Sequence, residues 1–249
     1  MSDLETVKRW DAFLAKIRER VLETLAQAEE GCAMLLDLNS LDPQPMTIAW
    51  MAIENQLHEL RAKIDATWFE KVEPGLTPGE SVDRELAKSR ALEHDIERLK
   101  DETELKIFAG AAAKIYEQAR VNLAKDHSCT QCGAAVPLKQ AFFRSRHETC
   151  PFCSSVNTFV PGSTVAAVEG FCVDQLAKQK TWALLQKSRQ TERAIRDDAP
   201  ASVTVAEKAL REYLTAYLRA RIEIVPEYAA NFDKDLAGKM AFFRSQYPG

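Results

Sequence analysis

The chain has 249 residues, of which 46% are hydrophobic and 28% charged, and its formal net charge is −4. That length suits one large or two modest domains, and the mildly acidic balance offers no global basic field to DNA or to an anionic membrane surface. No window approaches the roughly eighteen uninterrupted apolar residues of a membrane span, and Met1-Ser2-Asp3-Leu4-Glu5 has neither a positive leader nor an apolar core, so a cytoplasmic protein is expected.

From Leu4 to Leu38 apolar residues recur at three and four (Leu4, Val7, Trp10, Leu14, Ile17, Val21, Leu25, Ala28, Cys32, Leu35), the period of a long amphipathic helix. Cys32 falls on that stripe and reads as a small core residue. The prolines of Asn39 to Pro45 impose a turn. A second helix to about Val72 carries Trp50, Ile53, Leu57, Leu60, Ile64 and Trp68 on one seam and can pack back on the first as an antiparallel hairpin. His58, one turn from Glu54, reads as a helical salt link.

Pro74 to Glu80 is a linker and a helix start, with Thr77 as N-cap, Pro78 at the first turn and Glu80 completing a capping box. No proline follows until after Lys125, which predicts a helix about 70 Å long. Its charges (Glu80 and Arg84, Asp95 and Arg98, Glu97 and Lys100, Glu102 and Lys106) read as a solvated, ion-paired flank. At Ala109 to Ala113 small residues permit a close helix crossing, which compensates for Gly110.

Cys129-Thr130-Gln131-Cys132 is answered by Cys150-Pro151-Phe152-Cys153 after seventeen intervening residues. Two such pairs at this separation predict a closed four-thiolate site for a structural Zn2+ ion, with no open position for catalysis. A lone redox Cys-x-x-Cys beside a βαβ pattern does not fit, and Cys32 and Cys172 lie in helical stretches rather than in any pairing pattern. His127 and His147 read as flanking surface groups, because four sulfurs suffice. Gly133 can take the left-handed backbone a metal knuckle needs, and Val156 to Val160 is a short β-rich run closed by Pro161-Gly162. A module this small relies on its metal to fold.

After it, Ser163 or Thr164 can cap a helix running to about Arg196, with Gly170 as its weak point. Helix, ribbon, helix predicts an antiparallel, coiled-coil-like stalk with the metal module at its tip. Asp197 to Pro200 breaks the chain. Val203, Ala206, Leu210, Tyr213, Tyr217 and Ala220 form another helical stripe, ended or kinked by Pro226, and a last helix from Glu227 to about Ser245 presents Tyr228, Phe232, Leu236, Met240 and Phe243. The expected fold is mainly α: long helical hairpins with a small inserted four-cysteine zinc ribbon. Its parts are an N-terminal hairpin (1–75), stalk helices (76–126 and 163–198), the ribbon (127–162) and C-terminal helices (199–249).

The four cysteines and Gly133 resemble the zinc-ribbon superfamily, and with the surrounding helices they are similar to DksA/TraR-type regulators and to C4-type zinc-ribbon coiled-coil proteins. The resemblance covers under a sixth of the chain. Both groups end soon after their zinc module, whereas some ninety residues follow it here. It implies the four metal ligands Cys129, Cys132, Cys150 and Cys153; the first group sets its coiled coil and finger against RNA polymerase, and the second is linked to partner binding.

Phosphate-binding glycine loops, His-Glu-x-x-His and Gly-x-Ser-x-Gly are all missing, so nothing nominates an enzyme. The expected function is a scaffold or adaptor for a protein partner, with self-association through the helices a further option. The alternative is a nucleic-acid reader, since Lys125, Lys139, Arg144 and Arg146 lie among Phe142, Phe143, Phe152 and Phe159 and could neutralise and stack on a single strand; these cations could equally balance the thiolate charge. Ala141-Phe142-Phe143-Arg144-Ser145 recurs at Ala241 to Ser245, with Lys139 and Lys239 two residues earlier. Two independent aromatic anchors explain the recurrence most simply. A duplicated partner-binding motif built on exposed Phe-Phe-Arg is the sharper alternative, and the candidate partner-binding residues are Lys139, Phe142, Phe143, Arg144 and Arg146.

Overall fold

A computed structural model describes residues 3–124, 127–136, 143–160, 162–195 and 201–247. The fold is mainly α with one two-stranded antiparallel sheet, and the chain divides into two units, Met1–Ile107 and Phe108–Gly249.

In the first unit, α1 (Asp3–Leu38) and α2 (Gln44–Thr67) form the expected hairpin. The stripe from Trp10 to Cys32 is buried with Met46, Trp50, Leu57 and Ile64 of α2, whereas Leu4 is exposed, Val7 and Leu35 are half-buried, and Leu36 takes the core position expected of Leu35. The turn between them is not made by its prolines alone. Ser40 (φ 54°) and Leu41 (φ 65°) take the left-handed conformation, and the Leu41 N–H closes on the Leu36 carbonyl at 3.0 Å as a helix C-cap. At its far end α2 widens into a π-helical turn, Trp68–Val72, that buries both terminal residues of that turn. Trp68 reaches Trp10 with ring centroids 5.8 Å apart.

The third helix, α3 (Glu80–Leu123), starts differently from the expected capping box. Thr77 gives its hydroxyl and its N–H to the Asp3 carboxylate, both at 3.3 Å, and is therefore spent. The first helical bonds fall instead on the Gly79 carbonyl, in a backbone (φ 132°) that a side chain would strain. The charged flank is also not simply wet. Asp95–Arg98 (2.5 Å) and Glu97–Lys100 (3.1 Å) form within α3 as expected. Other charges cross to neighbouring helices: Lys88 to Asp11 (2.7 Å), Arg18 to Asp95 (3.1 Å) and Lys106 to Glu29. Each cross-pair is separated by 77 residues, so α1 and α3 run parallel in constant register, because both helices rise equally per residue. Arg61–Glu97 (2.9 Å) ties in the antiparallel α2. Glu85 is fully buried, with Arg84 Nε at 3.0 Å and Lys88 Nζ at 2.7 Å from its carboxylate oxygens, while its carbonyl accepts the Trp10 indole N–H at 3.2 Å. A carboxylate is tolerated there because both oxygens meet cations.

In the second unit the remainder of α3 buries Phe108, Ala109, Ala111, Ala112, Ile115 and Ala119. Gly110 takes no part in the close approach: a Cβ added there would meet nothing within 4 Å. Beyond the cysteine module the expected single helix is interrupted. Its parts are α4 (Ser163–Ala167), a π-helical turn at Val168–Cys172 that contains Gly170, α5 (Val173–Lys180) and α6 (Trp182–Ile195). Gly162, rather than the side chain of Ser163 or Thr164, stands at the start of α4. Thr181 turns its hydroxyl back on the Ala177 carbonyl at 2.7 Å and separates α5 from α6, a local bond that competes with helix continuation. Next come α7 (Ala201–Ile224), a 3-10 stretch (Pro226–Asn231) and α8 (Phe232–Gln246). The core unites Ala177, Tyr213, Leu214, Tyr217, Leu218, Ala220 and Met240. The helices after the cysteine module therefore pack mainly on the C-terminal ones. Phe108 meets Phe171 (5.9 Å), and Tyr116 meets Phe143 (6.2 Å). Among the described residues no helix is long and apolar enough to cross a membrane.

Candidate metal centre

The four cysteines come together. Their sulfurs all lie within 4.8 Å of one another, with Cys129 and Cys153 at 3.6 Å and Cys132 and Cys150 at 3.7 Å. A disulfide needs about 2.05 Å, so these are free thiols gathered around a common point. Cys129 and Cys150 are buried, whereas Cys132 and Cys153 face solvent.

Each pair sits on the same tight turn, made twice. In the first, the Cys129 carbonyl accepts the Gly133 N–H (2.9 Å), the Cys129 sulfur accepts the Gln131 N–H (3.4 Å), and the Cys129 N–H bonds the Ala134 carbonyl (2.8 Å). In the second, the Cys150 carbonyl accepts the Ser154 N–H (3.0 Å), its sulfur the Phe152 N–H (3.4 Å), and its N–H bonds the Ser155 carbonyl (2.8 Å). Gly133 (φ 73°) and Ser154 (φ 61°) occupy the same left-handed corner. Such knuckles aim amide dipoles at the sulfurs and so favour thiolates.

Strands β1 (Arg146–Thr149) and β2 (Val156–Phe159) pair antiparallel from Arg146↔Phe159 to Thr149↔Val156 and carry the second knuckle between them. A bridge from Ser128 to Ala135 closes the first. The module's apolar core is little more than Cys129, Val136 and Cys150, with Phe159 packed against them.

Two further residues, outside the cysteine pattern, support the sulfurs. The Ser155 hydroxyl stands 3.1 Å from the Cys129 sulfur and 3.0 Å from that of Cys153. Asn157 is buried; its amide donates to the Cys129 sulfur (3.5 Å) and the Ser155 carbonyl (3.2 Å), while its oxygen accepts the Thr130 N–H (2.9 Å) and hydroxyl (3.0 Å). The available signal was positional. Ser155 comes two residues after the second pair, next to the left-handed corner at Ser154, and Asn157 is the polar residue at an inward strand position.

These contacts polarise the thiols. The Ser155 hydroxyl, followed by the Cys132 and Gln131 amides, pulls Cys129 down to about 5, and the same hydroxyl lowers Cys153. At Cys132 the Ala134 amide favours the thiolate, but the Cys153 sulfur, burial and the sulfurs of Cys129 and Cys150 outweigh it and push the thiol up to about 12. Four sulfurs this close cannot all ionise without a cation among them, and the cluster could hold a metal ion. Cys32 and Cys172 lie apart, buried; burial raises both thiols, Cys172 to about 12, and leaves them poor nucleophiles.

His127 lies edge-on to Phe159 (5.0 Å), and His147 Nδ1 meets the Thr158 hydroxyl at 2.9 Å. Of the residues considered for partner binding, Phe143 is buried against Tyr116. Arg144 pairs with Glu169, and Arg146 with Glu148 at 2.7 Å. Lys139 and Phe142 lie outside the described residues. In the second copy of the repeated segment, Phe243 is likewise buried, Phe242 is exposed, and Arg244 pairs with Glu207 at 2.5 Å.

No family model matches the chain, and no curated protein or solved structure matches it significantly.

Proposed function

We propose that Cys129, Cys132, Cys150 and Cys153 hold a structural Zn2+ ion in a zinc ribbon, and that the protein is a non-enzymatic helical scaffold or adaptor for a protein partner in the reducing cytoplasm. The gathering of four sulfurs on two equivalent knuckles carries the reading. A tetrahedral zinc–thiolate site, with bonds of about 2.3 Å, has edges of about 3.8 Å, and the contacts of 3.6 and 3.7 Å approach that value. Four protein ligands close the site to water, which suits structure rather than catalysis.

The ribbon offers a protein partner apolar surface. Phe152 is 74% exposed, Val156 66% and Val160 74%. Arg144 and Arg146 already meet carboxylates, which weakens the case for a nucleic-acid contact made through them.

The test has two stages. Elemental analysis of protein purified without added metal should find one zinc per chain, and none in a variant with Cys150→Ser and Cys153→Ser. Tagged wild type and variant are then recovered from the native host with and without nuclease. A protein retained after nuclease and lost from the variant supports the adaptor reading. Partners lost with nuclease favour nucleic acid, and iron or no metal refutes the zinc assignment.

A further inference from the structure

The chain from Thr67 to Thr77 folds back on the start of α1. Thr6 donates its hydroxyl to the Gly75 carbonyl at 3.3 Å, the Trp10 and Trp68 rings meet at 5.8 Å, and Asp3 holds Thr77. These ties frame a cavity of about 490 Å3, lined by α1, the end of α2 and the π-helical turn Trp68–Val72. Small-molecule sites run from roughly 300 to 1,000 Å3, and single π turns recur at functional sites.

The part contributed by α1 is aromatic. Trp10 and Phe13 stack with ring centroids 5.6 Å apart and planes 13° from parallel. The Trp10 indole N–H is taken up by the Glu85 carbonyl, so what the indole has left to offer is apolar ring surface. Val72 of the π turn adds to it.

The part contributed by α2 is polar and lacks partners. Thr67 is half-buried and Lys71 exposed. They stand four residues apart where α2 passes into the π turn, and both line the cavity. Neither side chain makes a hydrogen bond or an ion pair with another described residue. Helical threonines commonly turn the hydroxyl on the carbonyl four residues back, as Thr24, Thr47 and Thr181 do in this chain. Thr67 does not, and its hydroxyl stays available. Arg9 is the second cation on the lining and pairs with Glu5 at 2.6 Å. No carboxylate is among the described residues that line the cavity. A positively charged, aromatic-walled cavity therefore lies in a chain of formal charge −4, and it favours an anion over a cation.

We propose that this cavity binds a small aromatic carboxylic acid, with its ring against Trp10 and Phe13 and its carboxylate on the Lys71 ammonium and the Thr67 hydroxyl. Arg9 adds to the positive potential. The cavity lies in the first unit and is independent of any metal at the four cysteines.

The probe is 2-naphthoate, titrated into the full chain by calorimetry, with 2-naphthylmethanol, 2-naphthylmethylamine and decanoate as comparators. Lys71→Gln removes the unpaired cation, and Thr67→Phe fills the cavity; circular dichroism checks that both variants stay folded. The expected result is saturable binding of naphthoate with a Kd at or below about 1 mM, at least about fivefold tighter than that of the alcohol, and weaker still for the amine. Lys71→Gln should bring the acid down to the affinity of the alcohol without changing the alcohol's own, a pattern that a general loss of structure would not produce. Thr67→Phe should weaken both. The Cys150→Ser, Cys153→Ser protein should bind naphthoate as wild type does, so failure of the zinc proposal would leave this result standing. No binding, equal affinities for acid and alcohol, or a Lys71→Gln protein that keeps the preference for the acid overturns the proposal. Unchanged affinity in Thr67→Phe overturns it by placing the ligand elsewhere, and tighter binding of decanoate overturns the aromatic assignment.

Discussion

Asn157 offers the sharpest test of how the cysteine module is built. It is 2% exposed and makes four hydrogen bonds: two tie Thr130 of the first knuckle to β2, and two reach the Cys129 sulfur and the Ser155 carbonyl. Asn157→Ala removes all four. At about 0.5–1.5 kcal/mol net each, and with water able to reach exposed Thr130, the module should lose about 2–4 kcal/mol. With the proposed zinc, folding of so small a module is coupled to the metal, and the loss should appear as weaker binding. Partners of metal ligands typically contribute 10–100-fold in affinity, or about 1.4–2.7 kcal/mol. Asn157→Asp separates the two roles. It keeps an acceptor for Thr130 but replaces the N–H donor to Cys129 with a carboxylate oxygen, adding repulsion against a thiolate. Zinc affinity, measured by competition with a chromogenic chelator, should therefore fall at least as far for Asp as for Ala. If either variant holds zinc as tightly as wild type, Asn157 is not supporting the sulfur and the described second layer is wrong.

Removing the proposed zinc with a chelator should expose amides in β1 and β2 to hydrogen exchange while helical circular dichroism changes little, since the helical cores do not draw on the cysteine module; retained protection of those strands would contradict a metal-dependent ribbon. Gly110→Ala should raise stability by about 1 kcal/mol, because the site is helical and open, and a lower melting temperature would show that the position is crowded after all. Arg98, with lesser help from Arg18, holds the Asp95 carboxyl below its usual value near 3.8. A depressed carboxyl contributes stability above its unfolded value and loses it as pH falls through the folded one. Asp95→Asn should therefore be less stable than wild type at pH 6, and the gap should close below about pH 3.8; a gap that persists at pH 2 would place the effect in packing. Met240→Ala, at a site 2% exposed in the core shared with α7, should cost about 2–5 kcal/mol in denaturant unfolding; a loss below 1 kcal/mol would mean that α8 is only loosely attached.

The long helices were legible because their stripes repeat over many turns, so a single misread residue changes little. The stripe from Trp10 to Cys32 is the clearest case, and every member of it is buried. The helix ends were less legible. Thr77 had the right type and spacing for a cap, but Asp3, more than seventy residues away, competes for it. The interruption at Val168–Cys172 had only Gly170 as a warning, and the break at Thr181, where the backbone leaves the helical region, lies inside a run that otherwise reads as continuous helix.

The sequence by itself determined the helical class, the α1–α2 hairpin and which four cysteines belong together, because periodicity and ligand spacing are local properties. Only the tertiary structure decided the rest. It placed the change from one unit to the other inside α3, between Ile107 and Phe108, where the helix's own residues show only a shift from charged to small side chains. It turned half of an apparently solvated charge run into ties between α1, α2 and α3. It also brought Ser155 and Asn157 to the sulfurs. Each of these depends on side chains far apart along the chain meeting in space, which no local pattern encodes.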